Sequence, residues 1–500
     1  MKKFLAAIAV LSASCLIFGA CGAYGDGFGA PNWSGGMFDS AEGAPGDGYY
    51  DDDGFVHESI KEVGFTDVAD EASSYFSLDR NTASYSHIRT MLEYNSAPMA
   101  NSVRIEEMIN YFDYGYAEPT DKAVALTTML ADCPWNADNK LMAVGLKTAE
   151  IVNDNNANYV FLIDVSGSMS GDARLGLAKK GFNMLLDGLG DKDVVSIVTY
   201  ASGVKTVLDG KECTKKGKDK IKDAISKLTA NGATSGGDGL ERAYNIAKKH
   251  FITGGNNRVI ISSDGDFNVG ISNPTDLKEF IQDKAKSGIY LSVIGVGMGN
   301  MRDDMLETLA RSGNGNYAYL DNENEARKVF VDELKSNLFT VAKDAKAGVT
   351  FTDSVEKYRL IGYDSKLISE DDFNNDNADT GEIGSNLCVT ALYEIVLSEQ
   401  ATGKLADIEV RYKDVTEAET SESVTCSVNI DTPSSEDMSF ISCVAEFGLI
   451  LRDSKYKADA SLSSVLARLS GLSNYIANDS YKQEFVKLVD KASKLDFYKQ

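Results

Sequence analysis

Only three histidines, His57, His87 and His250, occur in 500 residues, and that scarcity narrows the chemistry at once. His57 falls at the end of a glycine-rich stretch and His250 at the end of an expected helix, where capping and surface roles are the ordinary ones. No H-E-x-x-H occurs, which removes the helical zinc-peptidase arrangement. No G-x-S-x-G elbow occurs either, since Gly167-Ser168-Met169-Ser170-Gly171 has the wrong order. Cysteine is sparse as well. Beyond the N-terminal segment, Cys133, Cys213, Cys388, Cys426 and Cys443 are odd in number and unpaired by spacing, so neither a disulfide framework nor a thiolate metal site is indicated. Positive charge is in deficit, with 50 Lys and Arg against 75 Asp and Glu and a formal net charge of -25. That balance argues against nucleic acid and against charge-driven adhesion to anionic lipid. An acidic surface instead concentrates divalent cations.

Long apolar runs are missing except at the N-terminus. There Lys2 and Lys3 precede an apolar stretch from Phe4 to Phe18, too short and too promptly ended for a spanning helix. Phe18-Gly19-Ala20-Cys21 looks like a bacterial lipobox, in which small residues precede a cysteine that becomes lipidated. Cys15 is the competing site, but it would cut the apolar region short. The expectation is a signal peptide over 1–21, a lipid on Cys21, and an extracytoplasmic protein held to the membrane by that anchor alone. From Gly22 to Ile60 glycine recurs and no Lys or Arg appears, the composition of a flexible acidic tether. Asp51-Asp52-Asp53 within it reads as a solvated charge run.

What the chain does have is a strand that stops in oxygen ligands. Val160 to Ile163 is a short apolar run, expected to be buried on both faces, and it ends in Asp164, Ser166 and Ser168, with Gly167 freeing the turn. A loop in that position lies at the carboxyl edge of a parallel sheet, where α/β folds bind ligands. One carboxylate and two hydroxyls suit a hard cation, Mg²⁺ first. A helix N-cap is the alternative reading of the same residues. Two further loops favour the ion. Asn231 to Gly237 presents Thr234 from a glycine-rich turn, and Val259 to Ser263 is a second apolar strand ending in Asp264.

Strand and helix alternate from about 158 to 342. Strands are predicted at 159–164, 193–200, 258–263, 289–296 and 317–320, with an antiparallel edge near Lys205 to Leu208. Helices are predicted at 173–189, 216–228, 237–250, 275–287, 302–311 and 323–341. The fold class is α/β, with a central doubly wound, mainly parallel sheet. Around it are expected an α+β N-terminal region (61–157), a β-rich accessory domain (343–435) and a helical C-terminal region (436–500). The strands read at 123–130 and 141–146 are expected to lead directly into the central domain. Asp371 to Asp376 is read as a polar loop without the glycine and final glutamate of a calcium-binding helix-loop-helix.

The D-V-S-G-S of 164–168, Thr234 and the D-G of 264–265 resemble the metal-ion-dependent adhesion site (MIDAS) of the von Willebrand factor type A (VWA) family. The resemblance implies a Rossmann-like VWA domain in which Ser166, Ser168 and Thr234 ligate Mg²⁺ directly, with Mn²⁺ or Ca²⁺ as substitutes. Asp164 and Asp264 would act directly or through water, and a sixth position would stay open for a partner's carboxylate. V-R-I-E-E-M-I-N-Y-F-D-Y at 103–114, D-G-D-F-N-V-G at 264–270, G-N-G-N-Y-A-Y at 313–319 and A-E-F-G-L-I-L-R-D-S at 445–454 extend the resemblance to a bacterial lipoprotein subfamily, often labelled calcium-activated chloride channel homologues. One departure is Arg80-Asn81 after Asp79, where that subfamily often has Val-Asp.

Ser166 and Ser168 have no base nearby in sequence to activate them, and a Mg²⁺ hydrolase would need a general base and pocket that are not recognisable here. The expectation is a non-enzymatic, surface-anchored protein that binds, through Mg²⁺, a protein partner offering Asp or Glu, in adhesion or envelope complex assembly. An accessory subunit of an envelope channel or transporter is the alternative, and a metal-dependent hydrolase a distant third.

Overall fold

The computed structural model describes residues 60–498 except 79, 151–155, 234–238, 266–273, 298–302, 334–335, 337–338, 379 and 415–419, together with the pairs 49–50 and 56–57. Cys21 and Thr234 therefore lie outside the described residues, as do the signal segment and most of the tether.

The strand Ala157–Asp164 is buried along its whole length. Parallel neighbours pair on both its edges, Val194–Tyr200 on one side and Asn256–Ser263 on the other. Helices cover both faces, which is why Val160 to Ile163 is continuously apolar and does not alternate. Phe161 and Ile163 join the core containing Phe182 and Leu186, while Val160 and Leu162 join the opposite core with Leu240 and Tyr244. In spatial order the sheet runs Tyr317–Leu320, Ile289–Val296, Asn256–Ser263, Ala157–Asp164, Val194–Tyr200, Val204–Glu212. All pairings are parallel except the last. The doubly wound α/β sheet and its antiparallel edge are those expected from the alternation.

The last predicted helix, 323–341, is too long. Asn322 caps a single α-turn at Glu323–Arg327, a π-turn follows at Lys328–Asp332, and Thr340 already belongs to the strand Thr340–Phe351. The apolar residues of that strand read equally well as a continuing helix face, because a short apolar run does not declare its period.

Apart from the two-stranded pair Tyr49–Tyr50 and Val56–His57, the remaining strands form two further sheets. One runs Thr66–Asp67, Val355–Ile361, Cys388–Leu397, Lys140–Thr148, Val124–Asp132. The other runs Gly381–Gly384, Thr340–Phe351, Lys404–Asp414, Glu422–Asn429, with Ser73–Ser77 also paired to Thr340–Phe351. Residues of both enclose one apolar core that includes Phe76, Val144, Val349, Tyr393 and Ile408. The strands at 124–132 and 140–148 thus belong to this sandwich and do not extend the central sheet. Lys140–Thr148 is buried almost throughout and so needs neighbours on both edges; Cys388–Leu397 supplies the second.

The helices Ala83–Glu93, Ile105–Ile109, Glu436–Leu451, Leu462–Gly471 and Ser480–Ala492 share another core. Glu436–Leu451 is apolar nearly all round, the signature of a helix surrounded by protein. The Asp371 to Asp376 stretch contains a short helix, Glu370–Asn374, because the Ser369 hydroxyl caps it by accepting from the Asp372 amide at 3.1 Å. Among the described residues, no helix is long and apolar enough to cross a membrane. All five described cysteines are free thiols.

Buried charge ties the helical region to the central domain. The Arg89 guanidinium donates to both Asp321 oxygens (2.7 and 2.6 Å), to Glu325 Oε2 (2.7 Å) and to the Tyr111 hydroxyl (3.0 Å). Asp321 and Glu325 follow the last strand of the central sheet directly. Close by, Arg80 and Lys328 both bond Glu333, at 2.8 and 2.6 Å.

Candidate metal centre

Two adjacent parallel strands, Ala157–Asp164 and Asn256–Ser263, finish side by side, and their registers bring Ile163 opposite Ser262. Asp164 and Asp264 therefore emerge together at the carboxyl edge, 0 % and 4 % exposed. After Asp164 the chain turns so that the Ser166 amide donates to Asp164 Oδ1 at 2.8 Å. Ser263 Oγ reaches Asp164 Oδ2 at 3.4 Å, and the Tyr200 phenol lies beside both. The Ser166 and Ser168 hydroxyls are 2.9 Å apart. Four of the five expected ligand residues are thus brought to one place, each delivered by the end of a buried strand or the first turn after it.

Thr234, the fifth, lies outside the described residues, but the turn that precedes it is docked on the site. Asn231 N–H donates to the Val165 carbonyl at 2.8 Å, and Gly167 N–H donates to the Gly232 carbonyl at 2.9 Å. Gly232 has φ +93, and a β-carbon there would meet Ser202 Oγ at 2.5 Å, so only glycine permits this approach.

Burial pushes the Asp164 carboxyl up to about 6, the Ser166 hydrogen bonds oppose it, and the neighbouring Asp264 adds to the rise. Two carboxylates out of water and close together form a site of surplus negative charge, which a divalent cation neutralises. Among the described residues no group of three or more His, Cys, Asp or Glu is arranged to hold a metal ion, so an ion here would be held by two carboxylates and by hydroxyls. An all-oxygen donor set fits a hard cation.

Sequence reasoning missed Arg174. Its Nη1 donates to the Ser168 carbonyl at 2.5 Å and lies 3.7 Å from Asp264 Oδ2, so one guanidinium bridges the serine loop and the second carboxylate. Nothing in the local pattern marks it, because Arg174 sits on the π-turn Asp172–Gly176, which the periodicity absorbs into a helix. His250 is not near this site; its Nε2 is 2.6 Å from Asp209 Oδ1.

The von Willebrand factor type A domain family matches residues 158–332, a further von Willebrand factor family matches 52–143, and the family described as "Uncharacterized protein YfbK, C-terminal" matches 336–407 and 397–495. The Escherichia coli protein YfbK is 36% identical over 457 residues, covering 85% of this chain and 79% of that one. The hamster (Mesocricetus auratus) inter-alpha-trypsin inhibitor heavy chain H3 is 25% identical over 261 residues, and the chain spans only 29% of its length. The mouse voltage-dependent calcium channel subunit alpha-2/delta-3 is 36% identical over 102 residues, 9% of its length. Among solved structures, a von Willebrand factor type A protein from Catenulispora acidiphila superposes with a TM-score of 0.41 at 16% identity, covering 75% of this chain and 91% of that one. The chain belongs to the YfbK family of bacterial proteins built around a von Willebrand factor type A domain.

Proposed function

We propose that the chain is an extracytoplasmic lipoprotein, anchored to the bacterial envelope through Cys21, whose VWA domain binds a protein partner through a Mg²⁺-dependent site. The observation that carries this reading is the convergence of Asp164, Asp264, Ser166 and Ser168 at the carboxyl edge of the central sheet. Thr234, outside the described residues, is the fifth ligand in this reading, and it follows the Asn231–Gly232 turn that is docked on the site. Mg²⁺ is the first candidate, with Mn²⁺ or Ca²⁺ as alternatives. Once bound among mostly neutral hydroxyls, such an ion supplies an electrophilic position for an Asp or Glu carboxylate from the partner. The chain's own residues do the positioning. The Ser166 amide holds Asp164, and Arg174 holds both Asp264 and the backbone at Ser168. Adhesion or the assembly of an envelope complex is the process this fits. The short likeness to a calcium channel subunit favours, as a second reading, an accessory subunit of an envelope channel or transporter.

The test is calorimetric titration of Mg²⁺ into wild type and Asp164→Ala, followed by cross-linked capture from envelope extract with Mg²⁺, with EDTA and with the variant. Wild type should bind Mg²⁺ and gain about 2.7 kcal/mol of stability at a hundred times its Kd. Asp164→Ala should do neither. A partner captured only by wild type with Mg²⁺ supports the proposal; equal capture in all three arms means that the site is not the binding surface.

A further inference from the structure

The carboxylates of the candidate metal centre have a positive charge built in beside them. Arg174 Nη1 lies 3.7 Å from Asp264 Oδ2 and donates to the Ser168 carbonyl at 2.5 Å. Fastening the serine loop needs no charge, since a neutral donor satisfies a carbonyl. A cation next to a ligand carboxylate does something more, because it repels whatever cation that carboxylate attracts. The Asp264 side chain is 5 % exposed and that of Arg174 30 %, so water screens this repulsion only in part.

Two departures from regular structure make the seat of Arg174. The first is the π-turn Asp172–Gly176, in which the Gly176 amide reaches back five residues to the Gly171 carbonyl at 3.1 Å. In a regular α-turn leading into Leu177–Gly188, one residue fewer would displace Arg174 by about 100° around the helix axis. The second is Gly297, directly after the strand Ile289–Val296. Its φ is +84, and a β-carbon there would stand 2.5 Å from Arg174 Cγ and 2.9 Å from Cδ. The arginine stem therefore lies across bare backbone at the carboxyl edge of the sheet. Any other residue at 297 would strain the chain and collide with that stem. The neighbouring strand is the one that ends at Ser263, so the stem's course brings the guanidinium to Asp264.

We propose that Arg174 is the counter-cation that sets the metal affinity of this site. It offsets part of the charge of Asp264, weakens Mg²⁺ binding, and so makes occupancy depend on the surrounding Mg²⁺ concentration. The inference rests on the metal reading of the same residues and adds a means of regulation to it. It also has a sign that a purely structural role lacks. Removing a residue that only fastens the Ser168 loop loosens the ion; removing a counter-cation tightens it.

The experiment is calorimetric titration of Mg²⁺ into the full chain as wild type, Arg174→Met, Arg174→Lys and Asp164→Ala. Arg174→Met keeps a stem over Gly297 and removes the charge, whereas Arg174→Lys keeps the charge and loses the guanidinium fork. Arg174→Met should bind Mg²⁺ about ten-fold more tightly than wild type, and Arg174→Lys should match wild type. In EDTA, Arg174→Met should unfold at a lower temperature than wild type, because Asp264 has lost its counter-charge. Saturating Mg²⁺ should narrow or reverse that gap. Weaker or unchanged Mg²⁺ binding by Arg174→Met would overturn the proposal, as would tightening in Arg174→Lys equal to that in Arg174→Met. Wild-type binding that Asp164→Ala abolishes and Arg174→Met leaves unaltered sinks this inference alone. Failure of wild type and Arg174→Met alike to bind Mg²⁺ sinks the metal reading, and this inference with it.

Discussion

Replacing Arg89 by Met keeps most of the side-chain stem and removes the guanidinium, and the structure sets the consequence. Asp321, Glu325 and Glu484 then face one another without the charge that lies 2.6, 2.7 and 3.3 Å from them. Breaking a buried pair from one side costs about 3–5 kcal/mol, because the surviving carboxylates stay out of water. Loss of the Tyr85 and Tyr111 rings' contact with the guanidinium, centred 5.4 and 5.6 Å away, adds to this. Urea unfolding followed by Trp135 fluorescence is the assay, since Trp135 is buried in the same helical core as Tyr85 and Tyr111. The pH dependence is diagnostic. Orphaned buried acids have folded pKa values above their unfolded ones, so their penalty is full at high pH and fades as the pH falls and they protonate. The variant's deficit should therefore shrink between pH 8 and pH 5. Arg89→Lys, which keeps charge but loses the paired contacts to Asp321, should fall between variant and wild type. A loss below about 1 kcal/mol, independent of pH, would refute the reasoning and place this pair among those that contribute little.

Glu333 should give the opposite pH signature. Burial alone would raise its carboxyl, but Arg80 and Lys328 outweigh burial and hold it down from 4.5 to about 2. A depressed acid contributes stability that is complete above its unfolded pKa and lost as the pH falls through the folded one. That shift corresponds to on the order of 3 kcal/mol, disappearing between pH 4.5 and 2. Glu333→Gln should flatten that part of the stability profile in acid denaturation; an unchanged profile would mean that Arg80 and Lys328 do not hold the carboxylate in solution. Gly315→Ala should destabilise by about 2 kcal/mol or more, since its β-carbon would press on the Leu291 carbonyl. Thermal unfolding checks this, and a neutral result would mean that the loop gives way.

Where a feature depends on neighbours in sequence, it was legible. The continuous apolar run before Asp164 announced a strand covered on both faces, and the serines two and four positions on are placed by the turn that the same residues encode. Asp264 repeats that construction one strand away. The antiparallel edge at Val204–Glu212 was readable for the same reason, following its partner strand almost at once.

Only the tertiary structure decided what joins distant residues. Ser77 pairs with Lys346 and Leu141 with Glu394, so strands from both sides of the central domain close one sandwich. A strand pattern specifies which face is apolar but not which partner lies on its edge. Arg89 meets Asp321, and Arg174 meets Asp264, through side chains whose local surroundings look like ordinary helix surface. A cavity at Asn81, Arg311 and Thr380 is assembled from three separate stretches. The sequence by itself determined the strand ends and the oxygen-bearing side chains they carry; the packing of remote segments determined which charges are buried and which are compensated.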